Sequence, residues 1–149
     1  MNIIERMQNI LQSFPRISDV CGEIHIDFTE PHPDSYGLSS MGDVLLEEDV
    51  CGNQTRQHTF MLYTVYSGVN DYERLHNSSA LLELTQWLET QTGDTVESLN
   101  KYGTITSIRA ENGMLYEVPT EENADRVQYQ LQIIAEYTEY TEEHLEELV

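Results

Sequence analysis

The strictest constraint in this sequence is an alternation near its C-terminal end. Over residues 126–138, Val127, Tyr129, Leu131, Ile133, Ala135 and Tyr137 take every second position, with Gln128, Gln130, Gln132 and Glu136 between them. A period of two places the first set on one side of an extended chain and the second on the other. The segment reads as a long half-buried strand. Its register is strongly specified, because a slip of one residue would turn every apolar side chain toward water. Such a strand needs a sheet around it and a layer to cover its apolar face.

Two helical stripes offer that cover. Ile3, Ile4, Met7, Ile10, Leu11 and Phe14 recur at spacings of three and four, which predicts a helix over residues 2–13 ended by Pro15. Leu75, Leu81, Leu82, Leu84 and Leu88, with Trp87, predict a second helix over residues 72–91. Asn77-Ser78-Ser79 reads as its cap or as a break inside it, and Gly93 closes it.

The remaining segments supply strands. Ile24, Ile26 and Phe28 alternate with His25 and Asp27 over residues 23–29, before a breaker cluster that holds Pro31 and Pro33. A short extended piece is expected at 36–41. Two longer strands, 44–50 and 56–67, flank the turn-forming Cys51-Gly52-Asn53-Gln54, and the β-branched and aromatic run from His58 to Tyr66 suits a central strand. Residues 94–102 read as an irregular connector or a short helical turn. Residues 104–110 and 114–118 read as two short strands around Glu111-Asn112-Gly113, where Asn-Gly suits a tight hairpin turn. Helix, strands, helix, strands is an α+β order. The 149 residues fit one domain, placed at 1–138, with 139–149 as an acidic C-terminal tail carrying Leu145, Leu148 and Val149 on a weak helical spacing.

Charge narrows the function. The chain has 27 acidic and 7 basic residues, a formal net charge of −20. A protein that grips the phosphate backbone needs a basic face to displace counterions, so specific nucleic-acid binding is not expected. The longest apolar runs, such as Phe60-Met61-Leu62-Tyr63, fall far short of the ~20 residues that span a bilayer. The first residues lack the basic start and apolar core of a secretory signal, so the chain is expected in the cytoplasm where it is made. Cys21 and Cys51 lie in no CxxC pair and read as ordinary thiols.

Catalytic motifs are equally scarce. The sequence contains no Gly-x-Ser-x-Gly, no His-Glu-x-x-His, no Gly-Lys-Ser or Gly-Lys-Thr and no dinucleotide-type glycine series. His25, His32, His58, His76 and His144 are scattered singly, and His25 and His58 read as polar residues on a sheet face. The acidic run at 142–147 lacks the turn glycine and spaced ligands of a calcium loop and reads as a solvated face. Trp87 reads as a core or interface aromatic, and Tyr129, Tyr137 and Tyr140 suit either a protein interface or a sheet face under helices. No catalytic, cofactor-binding or metal-ligating residue is assigned, no cofactor is expected, and the chain reads as non-enzymatic.

Several stretches, taken in order, carry a resemblance. They are Met1-Asn2-Ile3-Ile4-Glu5-Arg6, Asp34-Ser35-Tyr36, Thr55-Arg56-Gln57-His58-Thr59-Phe60, Asn77-Ser78-Ser79 before Leu84-Thr85-Gln86-Trp87-Leu88-Glu89-Thr90-Gln91-Thr92, and the closing Arg126-Val127-Gln128-Tyr129-Gln130-Leu131-Gln132-Ile133. Together they resemble the minor capsid or tail-completion proteins of phages and prophages of Gram-positive bacteria, over residues 1 to about 138. None of these motifs is catalytic; their order and spacing carry the likeness.

The resemblance implies a single mixed, largely antiparallel β-sheet with helices packed on one face. It also implies the role of a tail terminator, a virion protein that forms a hexameric ring on the end of the tail tube, stops its growth and meets the head connector protein. Its partners would be copies of itself, the tail tube protein and the connector. A closed ring can end polymerisation by offering one face matched to the tube and another that is not. A negative lumen would repel the passing genome. The competing readings are another head-tail joining or minor capsid protein, and a small binding or regulatory domain that remains a monomer with a concave apolar pocket.

Overall fold

The computed structural model describes residues 1–15, 24–26, 35–66, 71–98, 101–117 and 127–140. Helix α1 spans Ile3–Gln12. Its first turn is closed by a reciprocal pair: the Glu5 amide donates to the Asn2 side-chain oxygen at 2.9 Å, and the Asn2 amide donates to the Glu5 carboxylate at 3.3 Å. Two of the amides that every helix start leaves unpaired are thereby satisfied. The Ser13 hydroxyl donates to the Ile10 carbonyl at the other end. The buried stripe is Ile3, Met7, Ile10 and Leu11, continued by Phe14.

Among the described residues, six strands form one sheet. In chain order they are β1 (Ile24–Ile26), β2 (Ser35–Glu48), β3 (Gln54–Tyr66), β4 (Thr95–Ser98), β5 (Lys101–Glu117) and β6 (Val127–Tyr140), with helix α2 (Asp71–Leu88) between β3 and β4. Across the sheet the order is β1-β2-β3-β6-β5-β4. Only the β1–β2 pair is parallel; every other neighbour is antiparallel. The fold is α+β, a single mixed and largely antiparallel sheet with helices on one face. Strand β6 runs to Tyr140, two residues beyond the expected boundary at 138, and residues 141–149 lie outside the described residues.

Alternation sorts the two faces. On β6, Leu131, Ile133, Ala135 and Tyr137 turn inward beside Leu62, Phe60, His58 and Arg56 of β3. The inward apolar residues join Leu38 of β2, Ile105 and Ile108 of β5 and Val96 of β4 in one core. Met7, Ile10 and Leu11 of α1 and Leu81, Leu84 and Leu88 of α2 cover it from the same side. Trp87 sits half-buried against Phe14, ring centroids 5.2 Å apart and 59° between planes, and so locks the end of α2 onto the end of α1. The opposite face carries Thr55, Gln57, Thr59, Met61 and Tyr63 opposite Thr138, Glu136, Ile134, Gln132 and Gln130.

Four segments differ from the sequence reading, each for a physical reason. The expected strands 36–41 and 44–50 are one strand, β2, whose ladder to β3 slips by a residue between Ser40 and Gly42 and again between Leu45 and Glu47. An extra residue at each bulge breaks the alternation without breaking the strand; Gly42, at φ +129°, supplies the first of these turns of the backbone. The two short strands around Glu111-Asn112-Gly113 are likewise one strand, β5. Both halves pair with β6, and the expected hairpin turn is a register shift between Glu111 and Met114.

The connector expected at 94–102 contains strand β4, which pairs with Lys101 to Thr104. Its order comes from contacts distant in sequence: Val96 enters the core, the Glu97 amide donates to the Met1 carbonyl, and the Arg6 guanidinium donates to the Thr95 carbonyl. The second helix runs straight through Asn77-Ser78-Ser79 and ends at Leu88 rather than at Gln91. Thr90 and Gln91 amides tighten its last turn onto the Trp87 and Leu88 carbonyls, and Gly93 follows at φ +92°. Of the strand expected at 23–29, residues 24–26 are described and are β1; the rest lies outside the described residues.

Candidate functional site

The apolar core stops short of one end of the sheet. At His58 of β3 the inward positions turn polar. The cause is local parity: His58 and Arg56 lie on the same side of β3 as Phe60 and Leu62, so both face inward and need partners.

Those partners come from β2 and β6. The bulge between Ser40 and Gly42 brings Ser40 and Asp43, three residues apart, to the same face of the sheet on either side of His58. His58 Nε2 lies 2.7 Å from Ser40 Oγ, and His58 Nδ1 lies 2.9 Å from Asp43 Oδ2. The Tyr137 hydroxyl donates to the same Asp43 oxygen, and Arg56 Nη1 donates to Asp43 Oδ1 at 2.9 Å. One carboxylate of β2 thus accepts from three side chains on two other strands, β3 and β6. His58 is 5% exposed, and its ring lies 4.5 Å from that of Phe60, so the network grows directly out of the apolar core.

Glu139 extends the cluster. Strand β6 carries it two residues beyond Tyr137 on the same side; it is buried and lies 3.7 Å from Arg56 Nε. Lys101 Nζ donates to Gln54 Oε1 at 3.3 Å, and Arg56 Nε donates to the same oxygen at 3.2 Å. Between this cluster and the start of α1 lies a cavity of about 340 Å³, lined by Asn2, Ile3 and Ile4 as well as Asp43, Arg56, His58, Lys101, Tyr137 and Glu139.

The electrostatics follow from the geometry. Burial by itself would raise the Asp43 pKa, but hydrogen bonds from Tyr137, His58 and Arg56 outweigh it and hold the carboxyl below its ordinary value. The hydrogen bond to Asp43 raises Arg56. Burial, followed by the hydrogen bond to Asp43 and the negative charges of Asp43 and Glu139, pushes the Tyr137 phenol well above its ordinary value.

Ser40, His58 and Asp43 stand in the order hydroxyl, imidazole, carboxylate that nucleophilic catalysis uses. Two features set this arrangement apart from that geometry. Asp43 divides its charge among Tyr137, His58 and Arg56. The cavity is lined by His58 and Asp43 but not by Ser40, so the hydroxyl does not open into it. The arrangement ties three strands together where the apolar core ends. Among the described residues no group of three or more His, Cys, Asp or Glu side chains is placed to hold a metal ion.

The sequence reading assigned no site residue and placed His58 as a polar residue on a sheet face. It is that, on the buried face. Parity along 56–62 was the available signal: a histidine and an arginine in phase with Phe60 and Leu62 must be satisfied from neighbouring strands. Of the other singled-out residues, Tyr137 joins the network, Tyr140 ends β6 partly exposed, and Cys51 is an exposed free thiol in the β2–β3 turn. The side chains of His25, His32, His76, His144 and Tyr129, and residue Cys21, lie outside the described residues.

A second feature lies at the edge of the sheet. β1 pairs only with Tyr36, Gly37 and Leu38, so Ser39 to Glu48 of β2 have no outer strand neighbour among the described residues. Along this open stretch Met41, Val44, Leu45 and Leu46 are exposed, and Val50 projects from the turn that follows. That turn is rigidly built: the Asp49 carboxylate accepts from the Cys51 and Asn53 amides at 2.9 and 3.0 Å and from the Asn53 side chain at 3.0 Å. No helix among the described residues is long and apolar enough to cross a membrane.

No family model matches this chain, and no curated protein matches it.

Proposed function

We propose that this chain is a non-enzymatic structural protein of the virion of a long-tailed phage, a tail terminator or tail-completion protein. It acts as a homo-oligomer, a hexameric ring that caps the tail tube, ends its growth and meets the head connector. It would be assembled in the host cytoplasm and reside at the head-proximal end of the tail. It needs no cofactor, and the genome passes through its lumen without specific binding.

The observation that carries the reading is the open, apolar edge of β2. Natural sheets protect exposed edges with charge, proline or a covering element. Here a chain with net charge −20 exposes Met41, Val44, Leu45 and Leu46 along a strand with no outer neighbour among the described residues. Such an edge is suited to assembly. The resemblance across residues 1–138 supplies the kind of assembly, and the acidity suits a ring through which DNA must slide.

Disruption of the gene in its phage tests the role. Loss of a terminator leaves overlong tails without attached heads in electron micrographs. Tails of normal length beside unjoined heads would replace this reading with a head-side joining role. The cavity beside Arg56 and Lys101 favours a second reading, a small ligand-binding domain. A stable monomer with no affinity for tail tubes would support that alternative.

A further inference from the structure

We propose that the open stretch of β2 pairs with the open stretch of β5 in a second copy of this chain, continuing the sheet head to tail from subunit to subunit. The inference deepens the ring reading and rests on it for the closure of the series. What it adds is the interface.

The sheet has two such edges. β4 covers β5 only at Lys101 to Thr104, and the Ile105 amide and carbonyl bond to Asp94 and Gly93, so β5 from Thr106 to Glu117 has no outer strand neighbour among the described residues. The open part of β2, Ser39 to Glu48, lies on the other side of the sheet. β2 and β5 run in opposite directions, because three successive antiparallel pairings separate them. A copy displaced sideways without being turned over therefore brings its β2 antiparallel to β5 of its neighbour. The two edges differ, so the contact is heterologous and propagates until rotation closes it.

Charge complementarity selects the register. Along the open edge of β2 from Ser39 to Leu46 the only ionisable side chain is Asp43, and it is held internally by Tyr137, His58 and Arg56. Beyond it, Glu47 is exposed and has no hydrogen-bond or ion-pair partner among the described residues. On β5, Arg109 is exposed and has no partner among the described residues, in a chain with only 7 basic residues. Both side chains are on the sheet face opposite α1 and α2: Glu47 pairs in register with Thr55, and Arg109 with Ile134. An antiparallel seam that sets Glu47 opposite Arg109 keeps all of Ser39 to Glu48 beside the open part of β5. With the bulge at Leu46, that seam sets exposed Leu45 against Ala110 on the helix side. Exposed Leu45 is then covered, and Glu47 meets Arg109, the one basic residue of the open part of β5; Glu111, exposed two residues further on the same face, falls beside Val44.

The test uses the full chain and its mass in solution by light scattering and native mass spectrometry. Wild type is expected to form a closed multimer. Glu47→Arg or Arg109→Glu alone is expected to reduce it to monomer, and the double reversal to restore it, with circular dichroism unchanged throughout. A second measurement requires no multimer in the free state. With both native cysteines changed to serine, Glu47→Cys and Arg109→Cys together are expected to yield a ladder of disulfide-linked multimers under mild oxidation, and either one alone no ladder beyond a dimer. A wild-type multimer indifferent to both single reversals overturns the interface while leaving the ring reading intact, and so does an absent ladder. A multimer that behaves as expected but leaves tail length unaffected when its gene is lost upholds the interface and overturns the terminator reading.

Discussion

Tyr137 on β6 donates its hydroxyl to Asp43 on β2, although β3 lies between the two strands. The bond crosses over the inward side of β3, where Arg56 and His58 reach the same carboxylate from below. A charged acceptor held in this way belongs to the stronger class of hydrogen bonds, and deleting one donor leaves the others to carry a partly buried charge.

Tyr137→Phe keeps the ring and removes only this donor. It is expected to lower unfolding stability by about 1–3 kcal/mol, read as a lower urea midpoint at unchanged slope. The same variant also tests the phenol. In the wild type the folded-state pKa of Tyr137 lies above its ordinary value of 10.0, so its proton is held more tightly in the folded state. That contribution is complete below the ordinary value and is lost as pH rises toward the folded one. Between neutral pH and pH ~11 the wild type should therefore lose more stability than Tyr137→Phe. Parallel alkaline profiles would remove Tyr137 from the account.

Asp43 acts at the other end of the pH scale. Its folded-state pKa is below the ordinary 3.8, so the stability it contributes is present above that value and disappears as pH falls through the folded one. Asp43→Asn should be less stable than wild type at neutral pH. The difference should shrink on acidification below pH ~4, where the wild-type carboxyl takes up its proton. Denaturant titrations of both proteins from pH 7 to pH 2 give the comparison, and a constant gap across that range would contradict the assignment.

Ser40 is expected to be chemically quiet despite its contact with His58. Incubation with a fluorophosphonate that labels activated serines should give no adduct at Ser40 by peptide mass spectrometry. The reasons are the threefold load on Asp43 and the separation of Ser40 from the cavity. An adduct that disappears in His58→Gln would reverse the non-enzymatic reading.

Gly103 shows how closely β5 and β6 approach at this end of the sheet. A Cβ built there would fall 2.5 Å from the Thr138 carbonyl oxygen and 3.2 Å from the Glu139 Cα, both backbone atoms that cannot rotate away. Gly103→Ala should force the two strands apart beside Glu139 and cost about 1–3 kcal/mol. Thermal unfolding with the same melting temperature as wild type would show that the strands yield without strain.

The amino-acid sequence by itself determined whatever a short window could encode. The stripe from Ile3 to Phe14 specified α1 because its apolar face repeats every 3.6 residues and Asn2 and Pro15 mark its limits. The alternation around Leu131, Ile133 and Ala135 specified β6 and its inward face. Where the period was interrupted, only the tertiary structure decided. Ser40 to Asp43 and Glu111 to Met114 look like ends of strands because a bulge adds one residue and resets the phase; only pairing with β3 and β6 shows that each strand continues. β4 has one buried apolar residue, Val96, and takes its form from Met1, Arg6 and β5. The polar cluster follows the same rule. Asp43, His58 and Tyr137 are far apart in sequence and belong to no motif; each is unremarkable in its own window. They meet because bulged β2 and regular β6 pair on either side of β3, and a partly buried carboxylate is stable only where its donors converge.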